Sequence, residues 1–254
     1  MYKEDILKKT KPDIIKLNVI TIILSLICVS CAVDKIDPKS KSKTNPKEST
    51  KNFLNKSQNL KPANQKSLEE EDIISKLKAI GKKLEAQEKK DNTKIAKIAA
   101  AKFDFLDTFK IGSHDLMIKD NQMQIKRIIY SSLNYERQKI NTLKEILEKL
   151  KQNPKNTNIL GKFINHISWF IQYQINEHLK LIQDKLYTLT YKEAKELLIS
   201  IESSLKLKQR FIKTLNETIE AYNKNLNNIN TDEEALANHM NKHYKDHEYL
   251  KPIN

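Results

Sequence analysis

The sequence predicts an all-α fold, an elongated bundle of about five helices, on three observations. Only three glycines occur in 254 residues, too few for a sheet protein that turns tightly between strands. Long stretches rich in Leu, Ile, Lys and Glu place apolar residues three and four apart, the period of a helix packed on one face. Ser67-Leu68-Glu69-Glu70, Thr190-Tyr191-Lys192-Glu193 and Thr231-Asp232-Glu233-Glu234 each fit the capping box. In that motif a hydroxyl accepts from a backbone N–H three residues on, and the glutamate reaches back.

The amino end reads as a leader. Lys3, Lys8, Lys9, Lys11 and Lys16 precede an uncharged run, Leu17–Val33, of 17 residues. That is short of the ~20 a membrane-spanning helix needs. Basic, then apolar, then small residues make a secretory signal. Leu26-Ile27-Cys28-Val29-Ser30 leading to Cys31 looks like a loose bacterial lipobox. Residues 1–30 are therefore expected as a lipoprotein signal peptide and Cys31 as the lipidated residue, with an uncleaved signal anchor as the alternative. Cys28 is the poorer acceptor, because bulky Ile27 would sit at the cleavage point. Two or three acyl chains on Cys31 would anchor the chain firmly. With Cys31 lipidated no disulfide remains, and the fold rests on packing. Residues 31–66 are rich in Lys, Ser, Asn and Pro, bury too little to offset their ordering entropy, and are expected as a disordered tether.

The helical domain is expected over 67–254. Ser67 caps a first helix carrying Ile73, Leu77, Ile80 and Leu84. Asp91-Asn92-Thr93 is expected to interrupt or kink it, and Ile95 to Phe109 to resume it. Gly112 marks a loop. Ile125 to Leu150 reads as one long helix closed by Asn153-Pro154. Asn158 to Leu186 reads as a third, apolar around much of its circumference through Phe163, Ile164, Ile167, Trp169, Phe170, Ile171 and Ile175, so central, with Trp169 in the core. The Thr190 box opens a helix to about Asn225. Its stripe is Leu198, Ile201, Leu205, Lys208, Ile212, Leu215, Ile219, Tyr222 and Leu226, broken only by Lys208. About 36 residues span on the order of 54 Å, which suits an elongated bundle. The Thr231 box opens a terminal helix that Pro252 ends.

Composition excludes several function classes. No GxGxxG and no GxxxxGK followed by Ser or Thr is present, so no phosphate cradle is expected. Lys and Arg total 46 against 32 acids, for a net charge of +14. Only Arg127, Arg137 and Arg210 are arginine, and a lysine-rich, arginine-poor chain is a weak reader of nucleic acid. No Ser/His/Asp arrangement sits in a GxSxG-like turn, so no enzyme is expected, nor any cofactor.

The terminal helix holds the sharpest polar pattern, His239, His243 and His247, each four apart. Helical histidines at that spacing can share a metal, but no carboxylate completes an HExxH, and no metal site is assigned. Leu236, Met240, His243, His247 and Leu250 form one stripe instead, a packing or interface face that could respond to pH. That stripe needs a cover. Its own bundle or a second copy's bundle, exchanged across a two-fold axis, would serve.

LICVSCAVDKIDPK, LKAIGKKLEAQEK, IAKIAAAKFDFLDTFKIG, IKRIIYSSLNYE, HISWFIQYQI, KQRFIKTLNETIEAYN and HMNKHYKDHEYLKP together resemble the complement regulator-acquiring surface protein 1 group. This group belongs to a paralogous outer-surface lipoprotein family of the Lyme disease spirochaetes (Borrelia). The resemblance implies a lollipop-like helical bundle held on the cell outer membrane, surface-exposed, by its lipid. It implies a homodimer whose C-terminal helix packs on the partner subunit. It implies capture of host factor H and its short splice form, which shields the bacterium from complement. Positions matching Tyr244, Asp246 and Leu250 would support the dimer and factor H binding, with Met240, His243 and His247 on the same face. Here His243 and His247 replace a Tyr and a Phe of the family pattern, and the chain ends in Ile253-Asn254 rather than aromatics. The alternatives are direct inhibition of terminal complement (membrane attack complex) assembly, binding of plasminogen or matrix through surface lysines, and a purely structural envelope lipoprotein.

Overall fold

Six helical rods follow one another along the described residues. The structure is a computed structural model that describes residues 63–110 and 119–253. The leader, Cys31, Gly112 and all of the tether before Ala63 lie outside the described residues. Contacts divide the chain between Gln58 and Asn59, and every described residue belongs to the second unit.

Helix α1, Ala63–Ala100, begins four residues before Ser67, so Ser67 lies inside it and is not its cap. It also runs unbroken through Asp91-Asn92-Thr93. The carboxylate that was expected to break it is instead 2% exposed. Asp91 accepts from the Gln87 amide at 2.5 Å and from the Tyr135 hydroxyl, so its polarity is spent across a helix contact rather than on the local backbone. The helix stops well short of Phe109. Lys102 takes a left-handed φ of 58°. Lys102 N–H then bonds the Ala99 carbonyl and Phe103 N–H the Ile98 carbonyl, the paired bonds of a Schellman ending.

The expected Ile125–Leu150 helix is two helices, α2, Lys119–Ser132, and α3, Arg137–Lys151. Between them Asn134 and Tyr135 sit at φ 54° and 60°. Tyr135 N–H bonds the Tyr130 carbonyl at 2.9 Å. The Tyr135 hydroxyl on Asp91 holds this corner against α1, which offsets the strain of a left-handed tyrosine.

Helix α4 is continuous but not uniform. It runs Thr157–Gly161 as α-helix, Lys162–Trp169 as π-helix and Phe170–Lys185 as α-helix. The Ser168 hydroxyl donates to the Phe163 carbonyl at 2.7 Å, inside the widened segment. Phe163, Ile164, Ile167, Ile171 and Ile175 are all buried, so α4 is central. Trp169, read as core, lies at the core's margin, half-buried and stacked on Tyr173 at 5.0 Å.

Helix α5, Tyr191–Asn223, opens on the full Thr190–Glu193 capping box. At ~1.5 Å per residue its 33 residues span about 50 Å. Its buried line is Ala194, Leu197, Ile201, Ser204, Phe211, Thr214, Leu215, Thr218, Ile219 and Tyr222. It shares Ile201, Leu215, Ile219 and Tyr222 with the predicted stripe, whose Leu198, Leu205, Lys208 and Ile212 are half-buried and whose Leu226, past the helix end, is 49% exposed. Ser204 and Thr214 can occupy the inner face because each hydroxyl donates to the carbonyl four residues back. Asn225, Asn227 and Asn228, all at positive φ, then reverse the chain, as short amides tolerate. Helix α6, Glu233–Tyr244, is capped by Asp232, not Thr231: its carboxylate accepts from Glu234 and Ala235 N–H at 2.8 and 3.1 Å.

Two apolar clusters lie along the bundle. The larger joins all six described helices, α1 through Ile95 and Ile98. The smaller comprises Leu77, Ile182, Leu186, Ala194, Leu197 and Ile201, and Leu84 and Leu205 pack against both. Gly81 lets α1 approach α4 here, since a Cβ in its place would lie 2.8 Å from Ile182 Cγ2.

Candidate functional site

The terminal segment shows where the predicted site residues fall. Helix α6 packs on α3 and α4 and buries Leu236, Ala237, Met240 and Tyr244. These recur at one, three and four residues, the inner face of a helix. The resemblance gave Tyr244 a part in the dimer and in factor H binding. Its ring instead meets Phe163 edge-on at 5.0 Å and Phe211 at 6.4 Å. Its hydroxyl shares a hydrogen bond of 3.0 Å with Thr218. Burial pushes its ionisation up.

The helix ends at Tyr244, not at Pro252, so the expected stripe from Leu236 to Leu250 is not one helical face. Asp246 is extended at φ −153° and ψ 161°. His247–Tyr249 forms a 3₁₀ turn, and Leu250 then drops into the core at 1% exposure. Met240, Tyr244 and Leu250, the residues through which a second copy was to hold the terminal helix, thus share their own chain's core. Asp246 and His247 stay half-buried and pair with each other at 2.6 Å, with the His247 ring 6.4 Å from Phe170.

Arg210 fixes this return. Its Nη2 donates to the Glu248 and Leu250 carbonyls at 2.9 and 2.5 Å, and its Nε to Leu250 at 3.2 Å. A planar fork suits two carbonyls, where a lysine offers a point charge. Lys213 donates to the Pro252 carbonyl at 3.0 Å, and Lys251 N–H to Thr214 Oγ1 at 2.9 Å. The Lys251 ammonium pairs with Glu217 at 2.5 Å. The tail is therefore strapped along α5 by backbone contacts. Arg210 was not singled out in the sequence, although being one of three arginines in a lysine-rich chain was a usable signal.

The histidines do not form a metal set. Among the described residues no group of three or more His, Cys, Asp or Glu is placed to hold an ion. The His239 and His243 rings lie 4.7 Å apart. His239 Nε2 is 3.2 Å from Thr218 Oγ1, and burial, then the neighbouring His243, Lys251 and Lys242, push its pKa down to about 4. Burial lowers His243 as well, joined by Lys251 and Lys242 and opposed by Glu217. Elsewhere His178 Nε2 lies 2.9 Å from Ser200 Oγ, but its Nδ1 has no partner, so no carboxylate orients the ring as a serine relay needs.

One surface feature escaped sequence reading. Asn158, Gly161, Lys162, Asn165 and His166 of α4, with Lys245 after α6, line an open concavity of about 420 Å³. It lies along the π-helical segment, a form of helix often found at functional sites and without a sequence signature here. Two lysines, Lys162 and Lys245, stand at its edge.

A family profile described as Borrelia Bbcrasp-1 domain containing protein matches residues 82–253. The crystal structure of the membrane attack complex assembly inhibitor BGA71, from the Lyme disease agent Borreliella bavariensis, is 46% identical. The match covers 70% of this chain and 99% of that one, with a TM-score of 0.65 for the native-data structure and 0.64 for a second crystal structure of BGA71. The chain has no match among curated proteins.

Proposed function

From the chain's membership of the Borrelia Bbcrasp-1 domain family, we propose that it is a non-enzymatic complement-evasion protein that blocks assembly of the membrane attack complex. The observation that carries this reading is the 46% identity with an assembly inhibitor over 99% of that inhibitor's chain. The mechanism is occlusion: a rigid helical surface docks on a terminal complement component and denies it to the next. The basic concavity beside Lys162, His166 and Lys245, with half-exposed Tyr249 on the adjoining tail, is the proposed docking face. A basic surface also speeds the encounter with an acidic partner. On this reading Cys31 carries the lipid that holds the protein on the outer face of the outer membrane, and the tether extends it outward.

Factor H capture is the second reading, favoured by the resemblance of the terminal segment HMNKHYKDHEYLKP. Tyr244 and Leu250, buried here, would support such a site from within, while Asp246, His247 and Tyr249 could touch the ligand. A homodimer through these residues would require the tail to leave Arg210 and exchange between copies.

Lysis of erythrocytes by purified terminal complement components, with no factor H present, tests the first reading. Dose-dependent protection is expected, and Lys162→Glu with Lys245→Glu should weaken it. Full lysis, together with factor H in the eluate of a human-serum pull-down, would transfer support to the second. Metabolic labelling with palmitate, lost in Cys31→Ala, tests the anchor.

A further inference from the structure

The outer face of α1 carries a stripe of a single charge sign. Lys82, Lys83, Lys89, Lys90, Lys94 and Lys97 are all exposed, with exposed Ala86 and Thr93 between them. At 3.6 residues per turn the six fall within about 140° of arc, and from Lys82 to Lys97 they extend ~22 Å along the axis. None has a carboxylate partner among the ion pairs of the described residues.

The acids of the same stretch are turned away and engaged. Glu85 accepts from Gln183 at 2.7 Å, Glu88 pairs with Arg127 at 2.8 Å, and buried Asp91 accepts from Gln87 and Tyr135. The exposed face of α5 is built otherwise, with Lys192, Lys195 and Lys206 mixed among exposed Glu193, Glu196 and Glu202. An ordinary solvated helix face looks like α5. Six unpaired ammonium groups on one face repel one another unless a polyanion neutralises them.

We propose that this stripe of α1 binds a linear sulfated polysaccharide. The side chains choose among polyanions. No aromatic residue lies on the stripe to stack on bases, as single-stranded nucleic acid requires, and no arginine fork lies there to read a base edge. Its only apolar group is alanine, too small to seat the helix in a bilayer interface. What remains is a band of lysine point charges along the helix, with small residues between them that let an extended chain lie close. The site is separate from the docking face proposed for complement and does not depend on it.

Binding of heparin, measured by titration calorimetry in about 0.15 M salt, tests this. The wild-type protein should bind, and the affinity should fall steeply with added salt. Replacing Lys82, Lys89, Lys90 and Lys97 together by Gln should weaken binding on the order of a hundredfold at unchanged melting temperature. Replacing Lys180, Lys192, Lys195 and Lys206 by Gln removes the same charge and should weaken it less than about threefold. No binding by the wild type, equal losses in the two variants, undiminished binding of fully desulfated heparin, or tighter binding of duplex DNA or phosphatidylserine vesicles through the same lysines would each overturn the proposal.

Discussion

Tyr244 and Thr218 meet hydroxyl to hydroxyl at 3.0 Å inside the core, 26 residues apart in sequence. This contact joins the terminal helix to α5 and makes the tail part of the bundle. Tyr244→Phe keeps the ring packing and leaves Thr218 its contact with His239, so it should cost about 1 kcal/mol. Tyr244→Ala opens a cavity between Phe163 and Phe211 and should cost about 3–5 kcal/mol. Urea denaturation separates the two. Equal effects would mean the ring contributes nothing.

Leu250→Asp bears on the same question. The residue is 1% exposed within its own chain, so the carboxylate would be pressed into the apolar core whether or not a second copy is present. A fall in melting temperature is expected at every protein concentration. Loss of ligand capture in this variant would then report a displaced tail rather than a lost contact. An unchanged melting temperature in the dilute protein would place Leu250 at a subunit interface instead.

Arg210→Lys should loosen the tail more than it lowers global stability. The lysine cannot serve both the Glu248 and the Leu250 carbonyl in one plane, and losses of about 1–2 kcal/mol are expected. Limited proteolysis with trypsin should cut after Lys245 faster in the variant, while the helical circular dichroism is retained. Unchanged cleavage would show that Lys213 and Thr214 hold the tail unaided.

Much of this fold was legible from periodicity. The helical class, the central position of Phe163–Ile175 and the Thr190 start all follow from spacing and capping chemistry. The breaks were not legible, because Lys102, Asn134 and Tyr135 hold left-handed positions that glycine usually marks. Counting threes and fours through Lys245-Asp246 carried the terminal stripe past the true helix end. That error put His247 and Leu250 on a helical face. The α1 lysines are plain in the sequence, but their isolation from acids depends on where Gln183, Arg127 and Tyr135 reach, which no local pattern reveals.

Acid should destabilise the protein. His239 is held near pKa 4 in the folded chain by burial first and by His243, Lys251 and Lys242 after that, against about 6.5 when unfolded. The unfolded chain therefore binds the extra proton between those values. Stability is full above about pH 6.5 and is lost as pH falls toward 4. Allowing for partial exposure, His239 should account for on the order of 2 kcal/mol. His178, also held near 4 by burial, titrates in the same window, so urea midpoints at pH 7.5 and 4.5 should converge for His239→Gln and more fully with His178→Asn added. A midpoint difference identical in wild type and the double variant would exclude both rings.

Gly81→Ala sets two effects of opposite sign against each other. Alanine improves the helix by about 1 kcal/mol, yet its Cβ would stand 2.8 Å from Ile182 Cγ2, and overpacking of this kind costs about 1–3 kcal/mol. The clash should win, because Ile182 is 6% exposed and Leu77, Leu186 and Ile201 belong to the same buried cluster, which leaves it little room to move. Ile182→Ala removes the offending methyl, so Gly81→Ala should turn from destabilising to neutral or stabilising in that background. The coupling in a double-mutant cycle should exceed about 1 kcal/mol. Additive effects would show that α1 and α4 are not held this close in solution.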